Sequence, residues 1–299
     1  MTTTPAFTLY AAQLGSTFLD QIERQSYSAG IEEMIIRANG AVSPQFAAIA
    51  HQSPKIDLTT TNLVAGLSAG TGGWTASGSN PASFYWRQYV NLGTLSTGAT
   101  ATKLSMTQGL IVPTRLSADQ KGAKLDISAI PVWDGTNLPF TATANQTPSG
   151  TAQVNNVFVA GPIALAGTEL NGIQSIDIDF GNKPLLLGSN GIAFDNFGAI
   201  QIRQPSVTVK TTDLSALASI GTTAEGAAFS LYFVAVSAYG TRIAADTASH
   251  VKLTGTAAMI QIDSAEGGMD GAAMATIKIT PIWDGTNDIL AVNTASVIS

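Results

Sequence analysis

Pro131-Val132-Trp133-Asp134-Gly135-Thr136-Asn137 returns near the C-terminus as Pro281-Ile282-Trp283-Asp284-Gly285-Thr286-Asn287. The two heptapeptides differ only in the exchange of valine for isoleucine. A motif that recurs with so little change, at a separation of about half the chain, indicates an internal repeat. The sequence therefore predicts one structural unit of roughly half the chain that is present in two copies.

The repeat extends well upstream of this motif. Asn39-Gly40 corresponds to Asn190-Gly191, and Thr60-Thr61 corresponds to Thr211-Thr212, at a constant register. The register slips only at later positions, as expected when two copies diverge by insertions in exposed loops. A chain of 299 residues is long enough to give each copy its own core, so we expect two domains. The predicted division is a first domain at residues 1–145, a linker at 146–155 and a second domain at 156–299.

Two segments stand outside the repeat. Residues 141–155, between the copies, are rich in Thr, Ala, Asn and Gln and include Pro148-Ser149-Gly150, a composition typical of a linker. An insertion near residues 70–82 follows the predicted helix in the first copy and is rich in glycine, whereas the second copy is shorter at this point. We predict that this insertion is a loop that contacts neighbouring molecules.

The composition excludes several classes of protein. Hydrophobic residues make up 45% of the chain and charged residues only 11%, which excludes a disordered chain. The net charge of −6 argues against a protein that grips nucleic acid through clustered lysine and arginine. Because the chain has no cysteine, it has neither a disulfide nor a thiolate metal site. The sequence shows neither a secretory signal nor an apolar segment of bilayer length, so we expect a protein that is made and kept in a cytoplasm.

Most of each copy has the pattern of β-strands. Ile176, Ile178 and Phe180 alternate with Asp177 and Asp179, the two-residue period of a strand with one buried face. The Asn-Gly pairs of both copies follow apolar runs and predict hairpin turns, because both residue types tolerate positive φ. Further strands are predicted at residues 229–236, 251–262 and 276–283.

A short helix follows in each copy. Leu214, Leu217 and Ile220 have helical spacing, and Thr212 or Asp213 would cap the helix. Each copy thus contains six or seven predicted strands and one helix. The predicted fold class is mainly β, with two tandem, similar antiparallel β-sandwich or barrel domains that each carry one short flanking α-helix.

No group of residues converges on a reaction centre. Neither His51 nor His250 is repeated between the copies, and neither has a carboxylate cluster at ligand spacing. Asp134 and Asp284 could be the paired carboxylates of a glycosidase, but Asp-Gly after a strand favours a turn, with the preceding tryptophan as an apolar plug. The acidic segment at residues 263–270 lacks the ligand pattern of a calcium loop and predicts a flexible hairpin tip. We expect no enzyme, no metal and no cofactor.

One aromatic segment, from Phe84 to Tyr89, could stack on bases or sugars. Its counterpart in the second copy, from Phe229 to Phe233, has the pattern of a core strand. We therefore predict that these aromatic residues are buried and that Arg87 lies at the rim of a subunit contact.

Over nearly its whole length the chain resembles a duplicated tail tube protein of a long-tailed bacteriophage. The resemblance rests on the repeated strands with one helix, the Asn-Gly hairpins at Asn39 and Asn190, the helix starts after Thr60 and Thr211, and the closing Pro-(Val/Ile)-Trp-Asp-Gly-Thr-Asn strands. It implies a homotrimer whose six domains form a pseudo-hexameric ring, and rings that stack into the tube through which the genome leaves.

The same resemblance implies the partners and the place of the protein. The chain would bind copies of itself and other tail proteins of the phage, in a virion tail assembled in the cytoplasm of the host bacterium. DNA would pass through the channel without specific binding, and no membrane would be involved.

Two groups of residues are candidates for roles in such a tube. Acidic side chains in or beside hairpin strands would line the channel and repel phosphate, and these are Glu32, Glu33, Asp177 and Asp179. Inter-subunit contact loops would include Trp74, Asn80, Arg87, Glu266 and Asp270.

Two other functions remain open. The first is another structural protein of the virion, such as a capsid decoration or tail-tip protein. The second is a carbohydrate-binding adhesin module that uses Trp74, Trp86 or the pair of Trp133 and Trp283.

Overall fold

Antiparallel β-structure dominates the molecule, which confirms the predicted mainly β class. The computed structural model describes residues 6–40, 42–73, 80–91, 94–95, 101–148, 150, 157–189, 191–237, 240–268 and 271–298. The elements of the first half are β1 (Phe7–Leu14), β2 (Thr17–Leu19), β3 (Ile22–Ser28), β4 (Ile31–Ile36), β5 (Phe46–Gln52), β6 (Lys55–Thr60), α1 (Leu63–Gly73), β7 (Ala82–Asn91), β8 (Thr94–Leu95), β9 (Ala101–Met106), β10 (Gly109–Asp119), β11 (Ala123–Pro131) and β12 (Thr141–Gln146). The elements of the second half are β13 (Val157–Leu165), β14 (Thr168–Leu170), β15 (Ile173–Asp179), β16 (Asn182–Leu187), β17 (Phe197–Arg203), β18 (Ser206–Thr211), α2 (Ser215–Ile220), β19 (Thr223–Ala224), β20 (Phe229–Val236), β21 (His250–Gly255), β22 (Ala258–Gly268), β23 (Gly271–Pro281) and β24 (Ala291–Ser296).

Each half contributes one sheet of its own. In the first half the strand order is β12-β9-β7-β1-β2, with the short β8 paired to β7. In the second half the order is β24-β21-β20-β13-β14, which repeats the first strand for strand.

A third sheet of nine strands runs through both halves, in the order β19-β22-β23-β18-β15-β10-β11-β6-β3. Its first-half strands β10, β11, β6 and β3 are repeated in the same order by β22, β23, β18 and β15. The register is repeated too, because Ile22 lies opposite Thr60 and Ile173 lies opposite Thr211. The two sets of four strands join where β15 pairs with β10.

The core lies on one face of this nine-stranded sheet. Ile176 and Ile178 are fully buried whereas Asp177 is half-buried and Asp179 is exposed, as the alternation predicted. One continuous cluster of buried apolar side chains contains residues of both halves, such as Leu125 of the first half and Ile176 of the second. The two halves therefore share a sheet and a core, and the division at residues 146–155 stays a prediction.

Each half also carries a two-stranded arm, formed by β4 and β5 in the first half and by β16 and β17 in the second. The predicted Asn-Gly positions fall in the loops of these arms, where Gly40 and Gly191 have φ of 82° and 70°, and Asn190 lies outside the described residues. The loops are longer than a two-residue turn. They close alike, with Gln45 N donating to Ile36 O and Asn196 N donating to Leu187 O, each at 3.0 Å.

The helix starts share one hydrogen-bond pattern. The hydroxyl oxygen of Thr60 accepts from Asn62 N at 3.1 Å, and that of Thr211 accepts from Asp213 N at 2.9 Å. In the first half Asn62 Oδ1 caps the helix by accepting from Ala65 N. In the second half the side chain of Asp213, at the matching place, accepts from the hydroxyl of Ser215.

Three predictions on local structure were wrong, in whole or in part. Thr141–Gln146 is not linker but forms β12, which pairs with β9 as an exposed edge strand and so lacks an apolar face. Of the segment at 263–270 that was predicted as a flexible hairpin tip, residues 263–268 continue β22 to Gly268 opposite Gly271, and residues 269–270 lie outside the described residues. Each half has more strands than the six or seven predicted, since short strands and bulged strands lack a clear two-residue period.

Candidate functional site

The junction between β10 and β15 joins an edge of the first half to an edge of the second. Arg115 lies opposite Asp179, and Ser117 lies opposite Asp177. On the polar face, Arg115 Nε donates to both carboxylate oxygens of Asp177, at 3.0 and 3.1 Å. This hydrogen bond and the charge of Asp177 raise the pKa of Arg115. The pair fixes the register of the junction from outside the core.

The second arm covers the outer face of the first-half strands, next to this junction. Leu186 and Ile200 of the arm pack against three buried side chains, which are Leu110, Val112 and Ile130. Gly198 lies so close that a Cβ there would be 2.8 Å from Val132 Cγ2. We call the surface formed by Leu110, Val112, Ile130 and Val132 the first receiving face.

Backbone hydrogen bonds hold the loop of the second arm in place. Trp133 N donates to Asp195 O at 2.8 Å, and Gln52 N donates to Ala193 O at 2.7 Å. The buried carboxylate of Asp195 accepts from Ser53 Oγ at 2.7 Å and lies 3.2 Å from His51 Nε2. The sequence did not reveal this cluster, because Asp195 is far from His51 along the chain and corresponds to Pro44 in the repeat.

The arrangement of these three side chains differs from a hydrolytic triad. In a triad the histidine lies between the serine and the carboxylate, so that it can take the proton of the hydroxyl. Here the carboxylate of Asp195 lies between Ser53 and His51, and Ser53 Oγ is 3.5 Å from His51 Nδ1. The geometry serves to anchor the loop of the second arm to the end of β5.

The second half has the same outer face without a cover. The side chains that match the first receiving face define the second receiving face, and they are Met259, Gln261, Thr280 and Ile282. Ile282 is 46% exposed, whereas its counterpart Val132 is 3% exposed. Trp283 is 66% exposed, so the prediction of a tryptophan plug at this strand end was wrong. The strand ends there at the sheet surface, with no arm laid over it in the described structure.

The first arm, in turn, has apolar side chains that no part of the described structure covers. Its apolar side chains are between 46% and 53% exposed, and they are Ile31, Met34, Ile35, Ile36, Phe46 and Ile49. Large apolar groups clustered on a projecting hairpin are typical of a surface that a partner covers.

The repeated Asp-Gly motifs form turns, as predicted. Asp134 Oδ1 accepts from the backbone of Thr136 and Asn137 at 2.9 and 2.7 Å, and Oδ2 accepts from Asn137 Nδ2 at 2.8 Å. Asp284 repeats these bonds with Thr286 and Asn287. Both carboxylates therefore have pKa values well below the ordinary range, with the side-chain amide of the asparagine as the largest cause.

The predicted channel-lining acids fall in two separate places. Asp177 and Asp179 lie on the polar face of the nine-stranded sheet, but Glu32 and Glu33 lie on the first arm. The polar face is mixed in charge, because its carboxylates pair with cations in Lys55–Asp57, Arg115–Asp177 and Lys124–Glu23. Any effect of Asp177 on a neighbouring polyanion is therefore combined with that of Arg115.

The predicted contact residues are also dispersed. Asn80 Nδ2 donates to Gly109 O at 3.5 Å, and Arg87 stacks over the ring of Tyr10 at 4.2 Å, so both have partners within the chain. Glu266 is exposed on β22. Trp74 and Asp270 lie outside the described residues.

No protein-family model matches the chain, and no curated protein shows significant similarity to it. Among the residues that the structure describes, no three His, Asp or Glu side chains are grouped so as to hold a metal ion. The helices in the same part of the chain are too short or too polar to span a bilayer.

Proposed function

We propose that this chain is the structural subunit of a bacteriophage tail tube, in which three chains form a pseudo-hexameric ring and rings stack around a channel that conducts DNA. The observation that carries the proposal is the junction of β10 and β15. The chain joins two like sets of four strands through unlike edges, and in the described structure it leaves β3 unpaired at one end and the later part of β22 unpaired at the other.

The nine-stranded sheet ends in β3 on one side and in the short β19 on the other, and β19 leaves the later part of β22, from Ser264 on, unpaired on that side. By the register of the existing junction, Ser28 would lie opposite Ser264, and Ser26 opposite Glu266. Strand β19 pairs with β22 only at Ile260 and Gln261, so it leaves this stretch open. Arg24 would then lie within diagonal reach of Glu266 on the polar face. The predicted contact role of Glu266 thus fits the open edge.

Head-to-tail contacts of this kind use two different surfaces and generate closed rings where the rotation per unit divides a full turn. Closure also removes the exposed strand edges, which otherwise promote aggregation. Three chains supply six sets of strands, which matches the pseudo-hexameric ring that the tail tube resemblance implies.

The part of the polar face that the arm leaves uncovered, which carries Asp177 and Asp179, is suited to line the channel. Three of its cations are paired with carboxylates, so they offer a passing phosphate backbone less attachment than unpaired lysine and arginine would. The net charge of −6 acts in the same direction.

Negative-stain electron microscopy and native mass measurement of the purified protein test this proposal. We expect species in multiples of three chains and striated hollow rods at high concentration. A capsid decoration or tail-tip protein would give discrete particles without hollow rods, and this result would reject the tube.

The exposed Trp283 favours a second candidate, the carbohydrate-binding adhesin. Saturable quenching of tryptophan fluorescence by a glycan, lost in Trp283→Ala, would support it. If the titration gives no response, contact with a protein partner would instead explain why the indole of Trp283 is exposed.

A further inference from the structure

We infer that the first arm of one chain lies on the second receiving face of another copy of the same chain, with Ala47 of the arm against Ile282. This inference rests on the proposed ring, because it uses the same head-to-tail relationship. In the described part of the chain there are two arms and two receiving faces, of which the second arm and the first receiving face are combined with each other.

The two arms match each other residue by residue. Ile35 and Ile49 of the first arm hold the positions of Leu186 and Ile200, the two side chains that pack on the first receiving face. Ala47 holds the position of Gly198 and adds a methyl group at the closest point. The first arm would therefore lie slightly farther from Ile282 than Gly198 lies from Val132.

The backbone contacts of the second arm can be repeated as well. The bond from Trp133 N to Asp195 O would have its equivalent in a bond from Trp283 N to Pro44 O. The bond from Gln52 N to Ala193 O would have its equivalent in a bond from Arg203 N to Val42 O. Because carbonyl oxygens accept these bonds, the different side chains of the two loops do not prevent them. Val42 is 93% exposed and free of cover by the chain itself.

The second receiving face is less apolar than the first. Gln261 and Thr280 stand where the first face has Val112 and Ile130. The contact between chains would thus bury less apolar area than the contact within the chain, and it would be the weaker of the two. This difference suits a contact that forms after folding, between subunits that are already stable.

Cysteine cross-linking tests the contact directly, since the chain has no cysteine of its own. In the double variant Ala47→Cys with Ile282→Cys, we expect mild oxidation to produce covalent dimers and trimers on a non-reducing gel. Each single variant should stay monomeric on that gel. The matched control is Gly198→Cys with Val132→Cys, which should form a disulfide within the chain and no species of higher mass.

Electron microscopy of the same samples separates this inference from the proposed function. Rings or rods that assemble without the Ala47–Ile282 cross-link, while the control disulfide forms, would overturn the arm contact and leave the ring intact. A cross-link in samples that show only short open oligomers would support the arm contact and reject ring closure. Absence of both particles and cross-link at high protein concentration would reject both.

Discussion

Val132 and Ile282 hold the same place in the two halves of the chain, and Val132 is 3% exposed whereas Ile282 is 46% exposed. Val132 lies beneath the second arm, against Gly198, whereas Ile282 lies on a face over which the described residues place no arm. The sequences of the two motifs are almost identical, so the difference comes from the neighbour and not from the strand. A face that is covered in one copy and open in the other is what a chain with one internal and one external interface would show.

Matched substitutions on the two arms should separate folding from assembly. Ile35→Glu places a charge on an exposed arm, so we expect an unchanged midpoint of thermal unfolding and a loss of oligomers by sedimentation. Leu186→Glu places the charge against Leu110 and Val112, and should lower the free energy of unfolding by about 1–3 kcal/mol. Equal destabilisation by both variants would contradict the different roles of the arms.

The turns at Asp134 and Asp284 predict a loss of stability in acid. Their pKa values are lowered in the folded protein, so their contribution is complete above the unfolded pKa of about 4 and is lost as the pH falls toward the folded values. Urea unfolding at pH 7, 4 and 3 should show this decline. In the double variant Asp134→Asn with Asp284→Asn, the stability at pH 7 should be lower and the decline shallower. An unchanged acid profile would refute the assignment.

His250 should be important for folding. It is fully buried, its Nδ1 accepts from Ala235 N at 3.1 Å, and its Nε2 lies 2.9 Å from Ala244 O. His250→Leu removes the acceptor of the Ala235 amide and one hydrogen bond to Ala244 O, which still accepts from Thr247 N, and should lower the free energy of unfolding by about 2–4 kcal/mol. His51→Leu is the control, because His51 is half-buried and its loss should cost less. Chemical denaturation of both variants measures the difference.

Charge reversal on the polar face tests whether that face meets DNA. Asp177→Lys with Asp179→Lys removes the partner of Arg115 and makes the face basic. The ion pair is exposed, so the loss of stability should stay below about 1 kcal/mol. Assembled tubes of the variant should retain DNA in a salt-dependent manner, as measured by co-sedimentation, while the wild type should not. No DNA retention by intact variant tubes would place this face away from the channel.

The mainly β class and several elements could be predicted because they depend on local pattern. The strand predicted at residues 229–236 is β20 with the same bounds, and the Asp-Gly turns follow from a carboxylate that can reach the next two amides. By contrast, β12 is exposed along most of its length, so its sequence has no apolar face that distinguishes it from a linker.

The candidate site itself could not be predicted, because it is made of contacts between distant segments. Nothing in the sequence of β10 shows that it pairs with β15 of the other half, since both have the ordinary alternation of sheet strands. Asp195 and His51 likewise have no counterpart at their matching positions, so comparison of the copies gives no signal for their contact. The apolar side chains of the first arm were visible in the sequence, but exposed and buried strands of that composition look the same.

The covalent link between the two halves makes the junction within a chain different from the matching junction between chains. A junction formed within one chain is favoured by an effective concentration of the order of millimolar, whereas the matching junction between chains depends on how much protein is present. Because each chain supplies two like halves, any closed assembly would contain an even number of halves. It could dissociate only at the junctions between chains, which alternate with the junctions within chains. A substitution at the junction within a chain would then cause misfolding of the monomer. The same substitution at the junction between chains would only prevent polymerisation.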